Sequence, residues 1–165
     1  MNYTDPEELV IVVDENDYVM NYMPRKEAHA KKLLHRTISI LVFNERGQVM
    51  LQKRSVKKDS NPGKWSNAVG GHVGEEETYD EAAEREILEE LRLSAKPAFV
   101  KRMIIDDPAH KTMTKLYTLQ SNGPFKFNPE ETDELRFFTR EELKELFEDL
   151  SESSKITLKE YGFLV

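Results

Sequence analysis

Apolar residues in the N-terminal part of this chain come in short β-branched runs separated by polar turns. Glu8–Val13 and Tyr18–Tyr22 are two such runs, with Asp14, Glu15, Asn16 and Asp17 between them, and they predict a hairpin. Pro24 to Leu34 predicts a short helix with Pro in its first turn. A second hairpin follows from Thr37–Phe43 and Gln48–Lys53 around Asn44, Glu45, Arg46 and Gly47. Ser55–Lys64 is polar, carries Pro62-Gly63 and reads as a loop, and Trp65–Val69 reads as a short strand.

The period then changes. Ala83, Ile87 and Leu91, with Leu88 beside them, form an apolar stripe at helical spacing, and Thr78-x-x-Glu81 is a capping-box signature at its start. Phe99–Ile105 and Thr114–Gln120 predict two more strands, separated by a turn from Asp106 to His110. Ser121–Pro124 turns the chain into a last strand, Glu134–Phe138. Thr139-x-x-Glu142 is a second capping box, opening a helix that runs to about Leu150, and Ser153–Tyr161 is a final short helix. Strands and helices interleave without regular βαβ alternation. The pattern therefore predicts an α/β chain of the α+β kind, with a mixed sheet between helices. There is no internal repeat, low-complexity stretch or linker, so residues 1–165 read as a single domain, with 1–35 as a hairpin and helix extension.

Composition narrows the function classes. No run approaches the roughly 18 apolar residues of a membrane span, and the acidic N-terminus lacks the basic and apolar regions of a signal peptide. The absence of cysteine rules out disulfides, thiolate metal sites and Cys nucleophiles, and a cytoplasmic protein is expected. A net charge of −7 argues against broad nucleic-acid binding, which needs Lys and Arg to displace counterions. A small phosphorylated substrate is still compatible with that charge. Oligomeric state is not legible.

Candidate chemistry concentrates in one stretch. Gly71-His72-Val73-Gly74-Glu75-Glu76-Glu77 leads into a helix on which Glu86, Glu89 and Glu90 fall at i, i+3 and i+4, on one face. Glu75–Glu90 carries nine carboxylates and one basic residue, Arg85, so it is not a salt-bridge-laced surface helix. Like charges at that spacing repel, and a divalent cation among the oxygens would reverse the sign of the interaction. Lys53, Arg54, Lys57, Lys58 and Lys64 form the one basic cluster, suited to phosphate oxygens. Arg54 is favoured for its planar fork, with Lys58 and Lys53 beside it. His29, His35, His72 and His110 are scattered in sequence and read as separate hydrogen-bonded residues.

Gly71-x5-Glu77-x7-Arg85-Glu86-Ile87-x-Glu89-Glu90 resembles the Nudix box, the metal-binding loop-helix of Nudix diphosphatases. Here the box would span 71–93, with Arg92 where the pattern has Gly and the expected aliphatic residue at Leu93. The resemblance implies an α/β/α sandwich and a Mg²⁺ site, with Mn²⁺ as the other candidate. It implies Glu89, Glu90 and the Gly71 carbonyl as ligands, with Glu86 as ligand or base. It also implies a Glu77–Arg85 ion pair bracing the loop, with phosphate contact as the alternative role that would put Arg85 beside Glu86 in catalysis. Many Nudix enzymes add a further Glu from the segment that here is Asn128–Glu134, and Glu131 is the choice by register.

The wider sequence resembles the Nudix subset that includes type 1 isopentenyl-diphosphate isomerases. The shared features are the N-terminal hairpin, His29 and His35, Lys53-Arg54, Pro62-Gly63-x-Trp65-Ser66-Asn67 and Gly71-His72. That isomerase carries a Cys immediately before its Gly-His, and this chain has Gly70 there. It also draws metal-ligating glutamates from a strand matching Thr112–Thr118, where no carboxylate occurs, and the His29–His35 spacing is one residue shorter. The expected function is therefore a Mg²⁺-dependent diphosphatase acting on a nucleoside di- or triphosphate or a similar small compound. An isomerase-like enzyme is the alternative, and a non-catalytic binding module ranks last.

Overall fold

The computed structural model describes Asp5 and residues 7–58 and 60–165. Its elements are β1 (Leu9–Val13), β2 (Val19–Pro24), α1 (Arg25–Ala30), β3 (His35–Phe43), β4 (Val49–Arg54), β5 (Trp65–Asn67), β6 (Val69–His72), α2 (Tyr79–Leu91), β7 (Ala98–Asp106), β8 (Lys111–Gln120), β9 (Thr132–Phe138), α3 (Arg140–Glu145) and α4 (Glu152–Tyr161).

All these strands join one mixed sheet with β3 at its hub. Along its whole length β3 pairs in parallel with β8, from His35 opposite Thr112 to Phe43 opposite Gln120. On β3, Thr37–Ile40 pair with β6 and only Val42 and Phe43 pair with β4, while His35 meets Val12 of β1. Beyond Met50, β4 leaves β3 and takes β5 as partner, while β9 pairs with it along its whole length. The expected strand Trp65–Val69 is therefore split at Ala68, β5 serving β4 and β6 serving β3. A run that reads as continuous in sequence divides because its two halves pair with strands that have separated.

Helices cover both faces. Ile38, Ile40 and Val42 meet Ala83, Ile87 and Leu91 of α2, while Leu41, Leu51 and Trp65 on the other face cluster with Leu143 of α3 and Leu158 of α4. Val10, Val12, Met23 and Ala28 form a smaller core under α1. This is the expected α/β/α sandwich with its N-terminal hairpin. Among the described residues no helix is long and apolar enough to cross a membrane.

Several boundaries differ from the sequence reading for local reasons. α1 stops at Ala30 rather than Leu34, because Lys32 adopts a left-handed φ of 51° and the Leu33 amide returns to the Ala28 carbonyl. α3 ends at Glu145 and a 3-10 turn, Phe147–Asp149, follows, after which Leu150 runs extended beside Trp65. α4 is capped by Ser151, whose Oγ accepts the Ser154 amide. β9 starts at Thr132, two residues before the predicted Glu134. Thr78 and Glu81 complete their capping box, but at Thr139 only the forward half forms: the Glu142 carboxylate takes the Thr139 hydroxyl instead of its amide.

On α2 the apolar stripe is corrected at one position. Leu88 is 51% exposed, and Glu86 is wholly buried on the inner side. At the helix end Arg92 takes the left-handed conformation itself, φ 54° and ψ 39°, and its amide donates to the Leu88 carbonyl. A non-glycine residue pays roughly 1–2 kcal/mol for that geometry, part of which the entropy of Gly in the unfolded chain would offset. Arg92→Gly is expected to stabilise the fold by about 0.5–1 kcal/mol in urea unfolding. A loss of stability would mean that the Arg92 side chain contributes more than its backbone costs.

Candidate active site

Where β3 and β4 separate, a cavity of about 230 Å³ opens between β6, the inner side of α2, the loop after β4 and the segment before β9. Gly70, Gly71, Glu89, Glu90, Arg54, Lys58 and Glu131 all line it. The bulge between Lys53 and Arg54 and the strand alternation aim Gln52 and Arg54 at the cavity, and Lys53 is not among its lining residues. Lys57 lies at the surface against Glu130, and Lys64 donates to the Glu148 carbonyl. The basic cluster of the sequence thus divides, with Arg54 and Lys58 facing the cavity.

Arg85 knits the loop to the helix. Its Nε and Nη2 donate to Glu77 Oε2 and Oε1 at 2.6 and 2.9 Å, its Nη2 also to the His72 carbonyl at 3.1 Å, and its Nη1 to Glu86 Oε1 at 2.6 Å and Glu89 Oε2 at 3.3 Å. Glu77 Oε1 also accepts the Gly74 amide at 2.8 Å. A Cβ on Gly74 would lie 2.8 Å from that same oxygen, so the close approach requires glycine there. Burial works against the charge of Glu77, but the Arg85 fork and the Gly74 amide outweigh it and hold the carboxyl below its usual range.

The other carboxylates are pushed the opposite way. Burial, then Glu90 and Glu89, raise Glu86 to about 10 despite the guanidinium beside it. Glu90 is also raised, by burial first and Glu131 second, while the Gly70 amide, Arg54 and Lys58 pull it down. Oε2 of Glu90 is buried and meets no hydrogen-bond donor among the described residues. A buried acceptor without a partner costs free energy, and a cation among these oxygens would remove that cost. The donor set is all oxygen, as a hard divalent ion prefers. Glu131 stands at the same cluster, 3.9 Å from Lys58 Nζ. Glu130 and Glu134 do not line the cavity.

The histidines are a correction to the sequence reading. All four converge on one wall of this cavity. His29 Nε2 lies 3.3 Å from His72 Nε2, and the His29 ring centroid is 5.0 Å from that of His35 and 4.4 Å from that of His110. His35 Nδ1 faces the Leu33 carbonyl at 2.8 Å and must carry the proton, which leaves its buried Nε2 as a lone pair without a partner among the described residues. Burial pushes His35 down to about 4 and His72 well below the ordinary range. One ligand atom from each of His29, His35 and His72 falls within 4.8 Å of the others, so these imidazoles could hold a transition metal. Sequence spacing hides the cluster, because it is assembled by the pairing of Thr37 with His72 and of His35 with Thr112.

A family model, the NUDIX domain, matches residues 33–160. The chain belongs to the Nudix hydrolase family. An uncharacterized Nudix hydrolase of Yersinia pestis is 34% identical over 137 residues, covering 82% of this chain and 75% of its own length. An isopentenyl-diphosphate delta-isomerase of Schizosaccharomyces pombe is 31% identical over 171 residues, covering 87% of this chain and 75% of its own. Among solved structures, a Deinococcus radiodurans protein superposes with a TM-score of 0.76 at 23% identity, covering 92% of this chain and 98% of the other. That likeness concerns the fold alone.

Arg85→Ala would leave Glu77, Glu86 and Glu89 without their shared cation and is expected to destabilise the fold by about 2–3 kcal/mol, since the pair is only partly buried. Thermal unfolding checks it. An unchanged melting curve would mean that the brace contributes nothing to the fold and that Arg85 serves a ligand instead.

Proposed function

We propose that this Nudix protein is a Mg²⁺-dependent diphosphatase that cleaves the diphosphate linkage of a nucleoside di- or triphosphate or a similar small compound. The observation that carries the reading is the unpartnered Glu90 oxygen buried in a cluster of carboxylates beside Arg54 and Lys58. Glu86, Glu89, Glu90, the Gly71 carbonyl and Glu131 are the groups that would hold the metal. When bound, Mg²⁺ supplies charge neutralisation on the phosphoryl oxygens and acidifies a coordinated water.

The chain's own groups do the rest. Arg54 is held by the Ser60 carbonyl at 2.8 Å and hydroxyl at 3.0 Å, which fixes its fork at the cavity for a phosphate. Lys58 adds a second cation, and Arg85 fixes the loop and the carboxylate row relative to each other. Glu86 is the proposed base: burial and its acidic neighbours raise its carboxyl, and a divalent cation held among these oxygens would keep it ionised and able to accept a proton. Little covalent work is asked of the protein in such a transfer, so positioning and electrostatics suffice.

Glu90→Gln removes one charge with little change of shape. It is expected to cost at least about a hundredfold in Mg²⁺-dependent release of monophosphate, corresponding to several kcal/mol of lost charge stabilisation, with the circular dichroism of the fold retained. Wild-type turnover in that variant at saturating Mg²⁺ would place the metal elsewhere.

The isomerase is the second reading, and the histidine wall together with the yeast relative favours it. Against it stands Gly70. A Cβ there would touch only the Ile38 carbonyl at 3.5 Å, so the backbone leaves room for a side chain, yet no proton-carrying group occupies the position. The strand Thr112–Thr118, matched to the one from which the isomerase draws glutamates, carries no carboxylate. Isomerisation needs an acid and a base on opposite sides of the allylic carbons. Incubated with isopentenyl diphosphate and Mg²⁺, the protein is expected to form no dimethylallyl diphosphate above background by mass-resolved chromatography. Clear isomer formation, with no hydrolysis of any nucleotide offered, would reverse the assignment.

A further inference from the structure

β2 lies at one edge of the sheet, and among the described strands it pairs with β1 alone. The Arg25 amide donates to the Glu8 carbonyl at 2.7 Å, and the alternation of an antiparallel ladder then points the Tyr22 amide away from β1. That outward amide is met by the side chain of its own neighbour, Asn21 Oδ1 at 2.8 Å. A side chain stands here in the place that the carbonyl of a further strand would take.

The edge also lacks the usual protection. Strands that stay at an edge tend to carry charges that discourage pairing with another sheet. β7, which also has a single neighbour, carries Lys101, Arg102 and Asp106. From Tyr18 to Pro24 no residue is charged, in a chain of which 33% is charged. A bulge at Met20 is the one protective device, since Val12 faces Asn21 and Val13 faces Val19. Tyr18 is 70% exposed and Met20 69%, and Val19 and Tyr22 are nearly half exposed. Tyr and Met are enriched, and charge is depleted, at the centres of protein interfaces.

The charges at the two ends of β2 select what covers it. An anionic lipid surface would be repelled by Glu15 and by a chain of net charge −7. A second copy of this chain fits. A two-fold axis sets one edge strand antiparallel to itself, so the residues before the strand in one copy meet those after it in the other. Before β2 the exposed charge is Glu15, because Asp17 is held by Arg36 at 2.8 Å. After β2 it is Lys26, because Arg25 lines the cavity and Glu27 is held by Lys31 at 2.7 Å. The ends are therefore complementary. The four apolar side chains expose on the order of 450 Å², about half of the ~800 Å² per partner in a standard interface, which suits a reversible contact.

We propose that this protein forms a reversible homodimer in which the β2 edges of two copies pair antiparallel, with Tyr18, Met20 and Tyr22 at the seam and Glu15 of each copy against Lys26 of the other. The proposal is independent of the diphosphatase reading. Sedimentation of the wild type from low to high micromolar concentration should show a monomer–dimer equilibrium. Met20→Lys sets like charges together at the seam and should weaken that equilibrium by more than about tenfold, with the melting curve unchanged because the side chain is exposed. Glu15→Lys and Lys26→Glu should each weaken it several-fold, and the double variant should restore it. Hydrogen exchange locates the contact without any substitution: the Tyr22 amide of the wild type should exchange more slowly as protein concentration rises, while the amides of β7 should not respond.

A wild type that is monomeric throughout that range would overturn the proposal. So would a dimer that Met20→Lys leaves intact, or one whose formation leaves Tyr22 exchange unchanged, since either result would put the contact on another face. A double variant no tighter than the single ones would remove the antiparallel charge pairing. Binding to vesicles of phosphatidylcholine and phosphatidylglycerol that Met20→Lys abolishes would assign the edge to a membrane instead.

Discussion

Three carboxylates and a backbone carbonyl share the single guanidinium of Arg85, and the geometry of the site follows from that sharing. Through Glu77 the cation reaches the Gly74 amide and sets the turn; through His72 it fixes the end of β6; through Glu86 and Glu89 it fixes the rotation of α2. Without it, a row of acids on one helix face would repel and splay. With it, part of the row is held close, while one oxygen of Glu90, which the cation does not touch, is buried with no donor among the described residues. Such uneven compensation is what a place for a second cation would require.

Two kinds of donor stand around one cavity. The oxygen cluster on α2 suits a hard ion, and the imidazoles of His29, His35 and His72 suit a borderline one. Burial keeps both sets short of charge: His35 and His72 stay neutral, and Glu86 and Glu90 are driven toward their protonated forms. The cavity is therefore less acidic in effect than its carboxylates suggest. Arg54 and Lys58 line the same cavity, which is consistent with a strongly negative chain accepting an anionic ligand there.

Much of this was legible in the sequence wherever a feature depends on near neighbours. The period of α2, its Thr78 cap and the spacing of Glu86, Glu89 and Glu90 are local, and the structure keeps them. Leu88 and Glu86 exchanged their expected environments because a binary pattern sends carboxylates outward, and a functional site is where that rule is broken. Lys53 and Arg54 could not be told apart by composition, since strand alternation sends adjacent residues to opposite faces. The division of Trp65–Val69 into β5 and β6 and the gathering of the histidines were out of reach for another reason. Both depend on which strands lie beside β3, and pairing between distant segments leaves no periodic trace in the chain.

The parallel contact between β3 and β8 joins residues such as Thr37 and Thr114, whose hydroxyls lie 2.7 Å apart across a separation of 77 residues. Closing a loop of that length costs entropy before any contact is gained, so this pairing is a slow step in assembly. The helix with its carboxylates lies inside the loop. The acidic row and the wall opposite it are therefore brought together only when that loop closes. An ion site built this way would be a property of finished topology: a fragment carrying the whole motif would hold the acids without the walls that enclose them.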